Sequence, residues 1–452
     1  MKMSRKLTGV NQTNNSQYGT YTDYKDSNMD WLGQIPKHWD LERVRSQIDY
    51  EKGNNPQTTK TSKDEEFSIP YLSMDYLRGN ETSPDFASKN ENLVTVQPDD
   101  VLILWDGSKA GEFIRGKHGA LSSTMAKLFN LSDNNWDYIY YLFKVYEDFI
   151  QQNTRGMGIP HVDTKLFKNL SLLVPTKNEQ NEIVKFLDRE TSKIDRLIEK
   201  QEKLIDLLEE KREALITKIS TEGKSEQKTS KKTGIQWFKK IPSHWEIRKL
   251  KQVASIIPSN VNKKSKEGES TVKLCNYSEV YNYREIKSTL DFMVASASDK
   301  QIKKLGLEKN DVVITKDSES WDDIAVPAYI GEEIKHLVCG YHLAILRPYS
   351  ENLLGKYLYY VLSSHGISDQ FHVKANGVTR FGLSIDDIQD SLIPLPPKEE
   401  QIEIINYLDS QTEVFDRAKE SVEKSMEKLN EYRTALISAA VTGKIDVRGE
   451  VE

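Results

Sequence analysis

Cys339-Gly340-Tyr341-His342 puts a thiol and an imidazole three positions apart, a spacing that suits two zinc ligands. Nothing completes a set of four, so the pair reads as a core cysteine beside a core histidine. His38 and His244 recur in Pro36-Lys37-His38-Trp39 and Pro242-Ser243-His244-Trp245, where a repeated imidazole would suit acid–base catalysis. Between proline and tryptophan at the start of a domain, a packed aromatic corner is the simpler account. Asp106 and Asp317 each follow a strand-like run and suit turn formation better than metal binding. The chain lacks a Gly-x4-Gly-Lys-Ser/Thr phosphate loop, a Gly-x-Gly-x-x-Gly turn after a strand, Gly-x-Ser-x-Gly and His-Glu-x-x-His. The Asn/Asp-Pro-Pro-aromatic tetrad of amino-methyltransferases is also missing. These residues describe an organiser with no catalytic residues, no metal site and no cofactor of its own.

The elements that would position such residues occur twice. Trp31-Leu32-Gly33-Gln34-Ile35-Pro36-Lys37-His38-Trp39 returns as Trp237 to Trp245, at an offset of 206. Asp100-Val101-Leu102-Ile103 returns as Asp311-Val312-Val313-Ile314 (offset 211), and Tyr138-Ile139-Tyr140-Tyr141 as Tyr357-Leu358-Tyr359-Tyr360 (offset 219). Pro175-Thr176-Lys177-Asn178-Glu179-Gln180 returns as Pro396-Pro397-Lys398-Glu399-Glu400-Gln401, at offset 221. The growing offset spreads the extra residues over several loops of one retained framework. Residues 68–72 and 100–104 read as strands, and 137–151 as an aromatic helix.

A long helical pattern follows each mixed domain. Leu187, Ile194, Leu208 and Leu215 fall on one seven-residue row, with Gln201 between; Leu408, Phe415, Val422, Leu429 and Leu436 form the second. Sustained heptads with charged flanks predict a coiled coil, and residues 179–220 would extend roughly 60 Å. The alternative is two amphipathic helices, each packed on its own domain. The expected fold class is α+β: two repeated mixed α/β domains (24–175 and 233–395) joined by two long helices (176–220 and 396–441). These would form an antiparallel coiled coil with pseudo-two-fold symmetry and place the domains at opposite ends of a rod. Residues 221–232, polar and lysine-rich, read as a solvated linker.

Composition limits the possible functions. Sixty-three Lys and Arg against 69 Asp and Glu give a net charge of −6. General attraction to nucleic-acid phosphate is therefore weak, and any such role needs local basic surface or a partner's charge. Residues 1–30 are polar and lack a secretory apolar core, no run suits a membrane span, and two cysteines fit a reducing cytoplasm.

Tyr24-Lys25-Asp26-Ser27 leading to Trp31 through Trp39, its second copy from Thr233, and Pro-Pro-Lys-Glu-Glu-Gln-Ile at 396–402 resemble motifs of the specificity (S) subunits of type I restriction–modification systems. Asp106-Gly107-Ser108-Lys109 resembles that family's Asp-Gly-Ser/Thr turn, from which Asp317-Ser318-Glu319-Ser320 departs. The resemblance covers about residues 24–447. It implies two target-recognition domains, each binding half of a bipartite, asymmetric double-stranded DNA sequence. It also implies a helical spacer that docks two methyltransferase subunits, with two motor-nuclease (restriction) subunits joining that core in the cytoplasm. S-adenosylmethionine and ATP would belong to those partners. A self-sufficient DNA methyltransferase or nuclease and a coiled-coil adaptor without nucleic acid are the rival readings.

Base readers need side chains with hydrogen-bonding groups on loops that can enter a groove. Two segments after the tyrosine helices qualify: Asn153, Thr154 and Arg155, and Lys374, Asn376, Thr379 and Arg380. The loops after the central strands add Ser108 and Lys109, and Lys316, Ser318 and Ser320; Asn276 and Tyr277 follow. The tyrosines 138, 140, 141, 357, 359 and 360 are expected in helical packing.

Overall fold

The computed structural model describes residues 18–156, 158–224, 229–349 and 351–450. It forms two compact units, one of residues up to 200 together with those from 424 onward, the other of 201–423. Each unit thus combines one mixed domain with part of both long helices, Lys177–Glu222 and Lys398–Val441.

The first unit is centred on an antiparallel sheet in the order Phe113–Arg115, Val101–Leu104, Met125–Asn130, Ile48–Lys52. The run Val101–Leu104 is buried throughout, as expected for a central strand covered on both faces. A five-stranded sheet containing Phe67–Leu72 lies beside it in the same unit. The helix Trp136–Gln152 starts where Asn135 accepts hydrogen bonds from the Asp137 and Tyr138 amides, and buries Tyr138, Ile139, Leu142, Tyr146 and Ile150 on one face.

The second unit repeats this sheet as Glu285–Ile286, Pro327–Ile330, Val312–Thr315, Leu343–Pro348, Ala254–Pro258. Its tyrosine helix is broken: Gly355–Leu362 stops at Ser363, and His365–His372 resumes. At Gly366 a Cβ would lie 2.0 Å from the Trp237 carbonyl, so the second segment packs against the start of the domain.

The repeated motifs bind one another. His38 Nε2 lies 3.0 Å from Glu179, whose carboxylate also accepts from Trp39 Nε1, and His244 Nε2 lies 2.7 Å from Glu400. Burial opposes ionisation of Glu179, but hydrogen bonds from His38, Trp39 and Thr176 outweigh it and hold the carboxyl below its ordinary range. Gln180 bonds the Pro175 carbonyl and the Asn135 amide; Gln401 bonds the Pro396 carbonyl and the Leu354 amide. The two histidines therefore fasten each domain to its following helix.

Three details differ from the sequence reading. Ser230–Lys232, within the stretch read as a linker, is a strand paired with Lys240–Pro242, as Tyr24–Asp26 pairs with Gln34–Pro36. Lys231 Nζ donates to the Trp245 carbonyl (2.6 Å), an interaction that a polar composition conceals. Thr221 and Glu222 belong to the first long helix. His342 is a quarter exposed rather than part of the core, whereas Cys339 is fully buried beside Cys275 on the next parallel strand. Burial pushes both thiols up.

Within the second unit, Glu209 pairs with Lys419 and Arg212 lies 3.9 Å from Asp416, so the helix segments run antiparallel there. In the first unit Arg433 Nε lies 3.0 Å from Asp195, and Leu187 and Ile194 share a core with Leu436 and Ile437.

Candidate functional site

The two loop sets singled out in each domain form one platform. In the first unit the Arg155 and His161 backbones exchange hydrogen bonds (2.9 and 2.7 Å). The hairpin they close is fastened to the loop after the central strand by Val162 N–H to the Trp105 carbonyl and Gly107 N–H to the Pro160 carbonyl, both 2.9 Å. Asn376 and Gly382 exchange the equivalent bonds (3.2 and 2.9 Å), and Leu383 N–H donates to the Lys316 carbonyl at 3.0 Å. The central loops are anchored alike, Trp105 and Asp106 amides to the Thr124 carbonyl, Lys316 and Asp317 amides to the His342 carbonyl.

This register makes Arg155 the counterpart of Asn376, and Ile159 the counterpart of Arg380. Gly156 and Gly377 occupy the same corner with positive φ, and a Cβ on Gly377 would sit 1.8 Å from the Arg380 carbonyl oxygen. The same backbone frame therefore carries different side chains at equivalent points.

The first platform holds Arg155 and Lys52 in ion pairs. Arg155 lies 2.6 Å from Asp163 and Lys52 lies 2.8 Å from Asp106. Partial desolvation opposes ionisation of Asp163, but the Leu166 and Lys165 amides and the Arg155 guanidinium hold its carboxyl below the usual range. Asn153 and Thr154 bond back to the carbonyls of Phe149 and Gln151, while Ser108 and Lys109 stand exposed on the turn.

The second platform borders a cleft of about 730 Å³, lined among others by Asn276, Tyr277, Ser318, Glu319, His342 and Arg380. Four of these were candidates from the sequence; Glu319 and His342 were not. The Tyr277 and Tyr281 rings stack at 5.7 Å, and their hydroxyls are tied to Ser318 (3.2 Å) and Asp323 (3.1 Å). The bond to Asp323 raises the Tyr281 pKa, so its ring stays a neutral wall. Asp317 pairs with Lys316 at 2.8 Å and lies 3.1 Å from His342 Nδ1. Lys374 reaches the Asp387 carbonyl (3.3 Å), Asn376 bonds the Lys374 carbonyl, and Ser320 bonds Asp322; Thr379 is exposed beside Arg380. His342 could have been found from its offset to Thr124 only once the strand register was known.

The tyrosines of the helices pack as expected: Tyr138, Tyr141, Tyr357, Tyr359 and Tyr360 are buried, and Tyr140 is partly so. Among the described residues no group of three or more His, Cys, Asp or Glu is placed to hold a metal ion. Nor is any helix long and apolar enough to cross a membrane.

Comparison with known proteins agrees with this architecture. The type I restriction modification DNA specificity domain matches residues 36–209 and 242–427. The chain is 30% identical over 440 residues to the type I restriction enzyme MjaVIII specificity subunit of Methanocaldococcus jannaschii, covering 94% of this chain and 97% of that protein. It is 20% identical over 398 residues to the EcoBI specificity subunit of Escherichia coli, covering 84% and 80%. A chain from a solved structure on complex assembly and conformational transition of the type I R-M system shares the fold, with a TM-score of 0.66 at 15% identity over 91% of this chain and 99% of that one. With that domain matched twice over most of the chain and a relative 30% identical along nearly its whole length, the chain belongs to the family of type I restriction–modification specificity subunits.

Proposed function

We propose that the two platforms read the two halves of a bipartite, asymmetric DNA target. The supporting observation is the shared backbone frame with different residues at equivalent points, Arg155 against Asn376 and Ile159 against Arg380. Two identical readers related by a two-fold axis would require a palindrome; these are not identical. Candidate base or phosphate contacts are Asn153, Thr154, Arg155, Ser108 and Lys109 for one half, with Lys374, Asn376, Thr379, Arg380, Lys316, Ser318 and Ser320 for the other.

The long helices act in this reading as an antiparallel coiled-coil spacer between the two readers; half-sites on one DNA face would be centred about 34 Å apart, one helical turn. They also dock two methyltransferase subunits, which two restriction subunits join. The chain itself is non-catalytic and works in the cytoplasm, with S-adenosylmethionine and ATP bound by its partners. Partner charge offsets the acidic total of −6 during phosphate contact.

Methylome sequencing of a host carrying the chain with its cognate methyltransferase, against a host lacking the chain alone, tests this. A bipartite asymmetric motif that vanishes without the chain is the expected result. An unchanged methylome despite a functional methyltransferase would favour a protein adaptor instead.

A further inference from the structure

The second unit's cleft contains opposite charges that do not meet. Glu319 and Arg380 both line it, and neither makes a hydrogen bond or ion pair among the described residues. The neighbouring carboxylates are engaged, Asp317 with Lys316 and against His342, Asp323 with the Tyr281 hydroxyl, whereas Lys263 of the lining makes no ion pair among the described residues. Glu319 and Arg380 thus offer an unengaged acceptor and an unengaged donor to the same cleft.

A carboxylate facing a nucleic-acid backbone is repelled by phosphate, so Glu319 gains only by accepting from an exocyclic amine. In the major groove these are cytosine N4 and adenine N6. A guanidinium fits guanine O6 and N7 as a fork. We infer that the Glu319–Arg380 pair is the specificity-determining element of the second unit, reading a guanine together with an amine-bearing base, cytosine or adenine, in its half-site. Lys263, on the same cleft, supplies a positive rim suited to phosphate. The first unit has Ser108 where the second has Glu319, and Ile159 where it has Arg380, so it does not read the same bases.

This inference rests on the proposed DNA-reading function. Its test uses the full chain assembled with its methyltransferase subunits, comparing the wild type with Glu319→Gln and Arg380→Ala. The half-site read by the second unit is expected to contain a guanine and a cytosine or adenine amine. Each substitution should relax one position of that half and lower methylation of the original motif roughly tenfold or more, leaving the other half unchanged. Where methylation is lost altogether, gel shifts on duplexes varied at each half-site position decide. Loss confined to the original base with unchanged melting supports the assignment, and equal loss on every duplex overturns it. A chain-dependent motif unaltered by both substitutions overturns this inference alone. A methylome that does not depend on the chain overturns the parent reading.

Discussion

The Tyr138 hydroxyl lies 3.3 Å from the carbonyl of Val441, 303 residues later, and 3.1 Å from that of Leu173. It thus ties the end of the second long helix and the last strand of the first domain to one buried side chain. Tyr357 does the same in its own unit, 3.1 Å from both Ser220 and Pro394. Burial raises both phenols, so each remains a donor.

Tyr138→Phe and Tyr357→Phe should each destabilise their unit by about 1–3 kcal/mol, because buried carbonyls lose their donor. Chemical denaturation of the purified subunit measures this. Unchanged unfolding midpoints in both variants would remove the tyrosines from the account.

Leu187 and Leu408, corresponding positions of the two long helices, are fully buried. Leu→Ala at either site should cost about 2–5 kcal/mol through lost transfer energy and a residual cavity. A normal melting profile with normal methyltransferase assembly would contradict that.

The depressed Glu179 pKa has a definite sign. Its contribution to stability is full above the ordinary glutamate value of 4.5 and is lost as pH falls through the lower value of the folded protein. Glu179→Gln should therefore flatten the acid limb of stability against pH, while lowering stability at neutral pH. Urea midpoints taken from pH 7 downward provide the check, and parallel curves for both proteins would refute it.

Gly377→Ala should displace the second hairpin, since the new Cβ would meet the Arg380 carbonyl oxygen. The expected result is loss of recognition of one half-site with the first half intact, read by methylome sequencing. An unaltered motif would mean that the hairpin does not contact DNA.

Arg155→Ala should weaken specific binding less than Arg380→Ala. Arg155 must exchange its 2.6 Å ion pair with Asp163 for any DNA contact, while Arg380 has no such competitor. Titrations of the assembled complex at fixed salt rank the two variants, and the reverse order would count against this explanation.

The sequence alone determined the duplication and the long helices, because repeated motifs and seven-residue periodicity are local signals. His38, Glu179 and Gln180 were all visible as repeated letters, though what they bind was not. The strand at Ser230–Lys232 escaped, since its stability comes from Lys240–Pro242 and from carbonyls that accept Lys231. The tertiary structure alone decided which candidates share a site. Asn276, Ser318 and Arg380 are distant in the chain and meet because the hairpin pairs with the loop after the central strand. The equivalence of Ile159 with Arg380 likewise follows from backbone pairing, and no side-chain pattern could have fixed it. Composition marks a residue as able to read a base; only the hydrogen-bond register of the platform places it at the cleft.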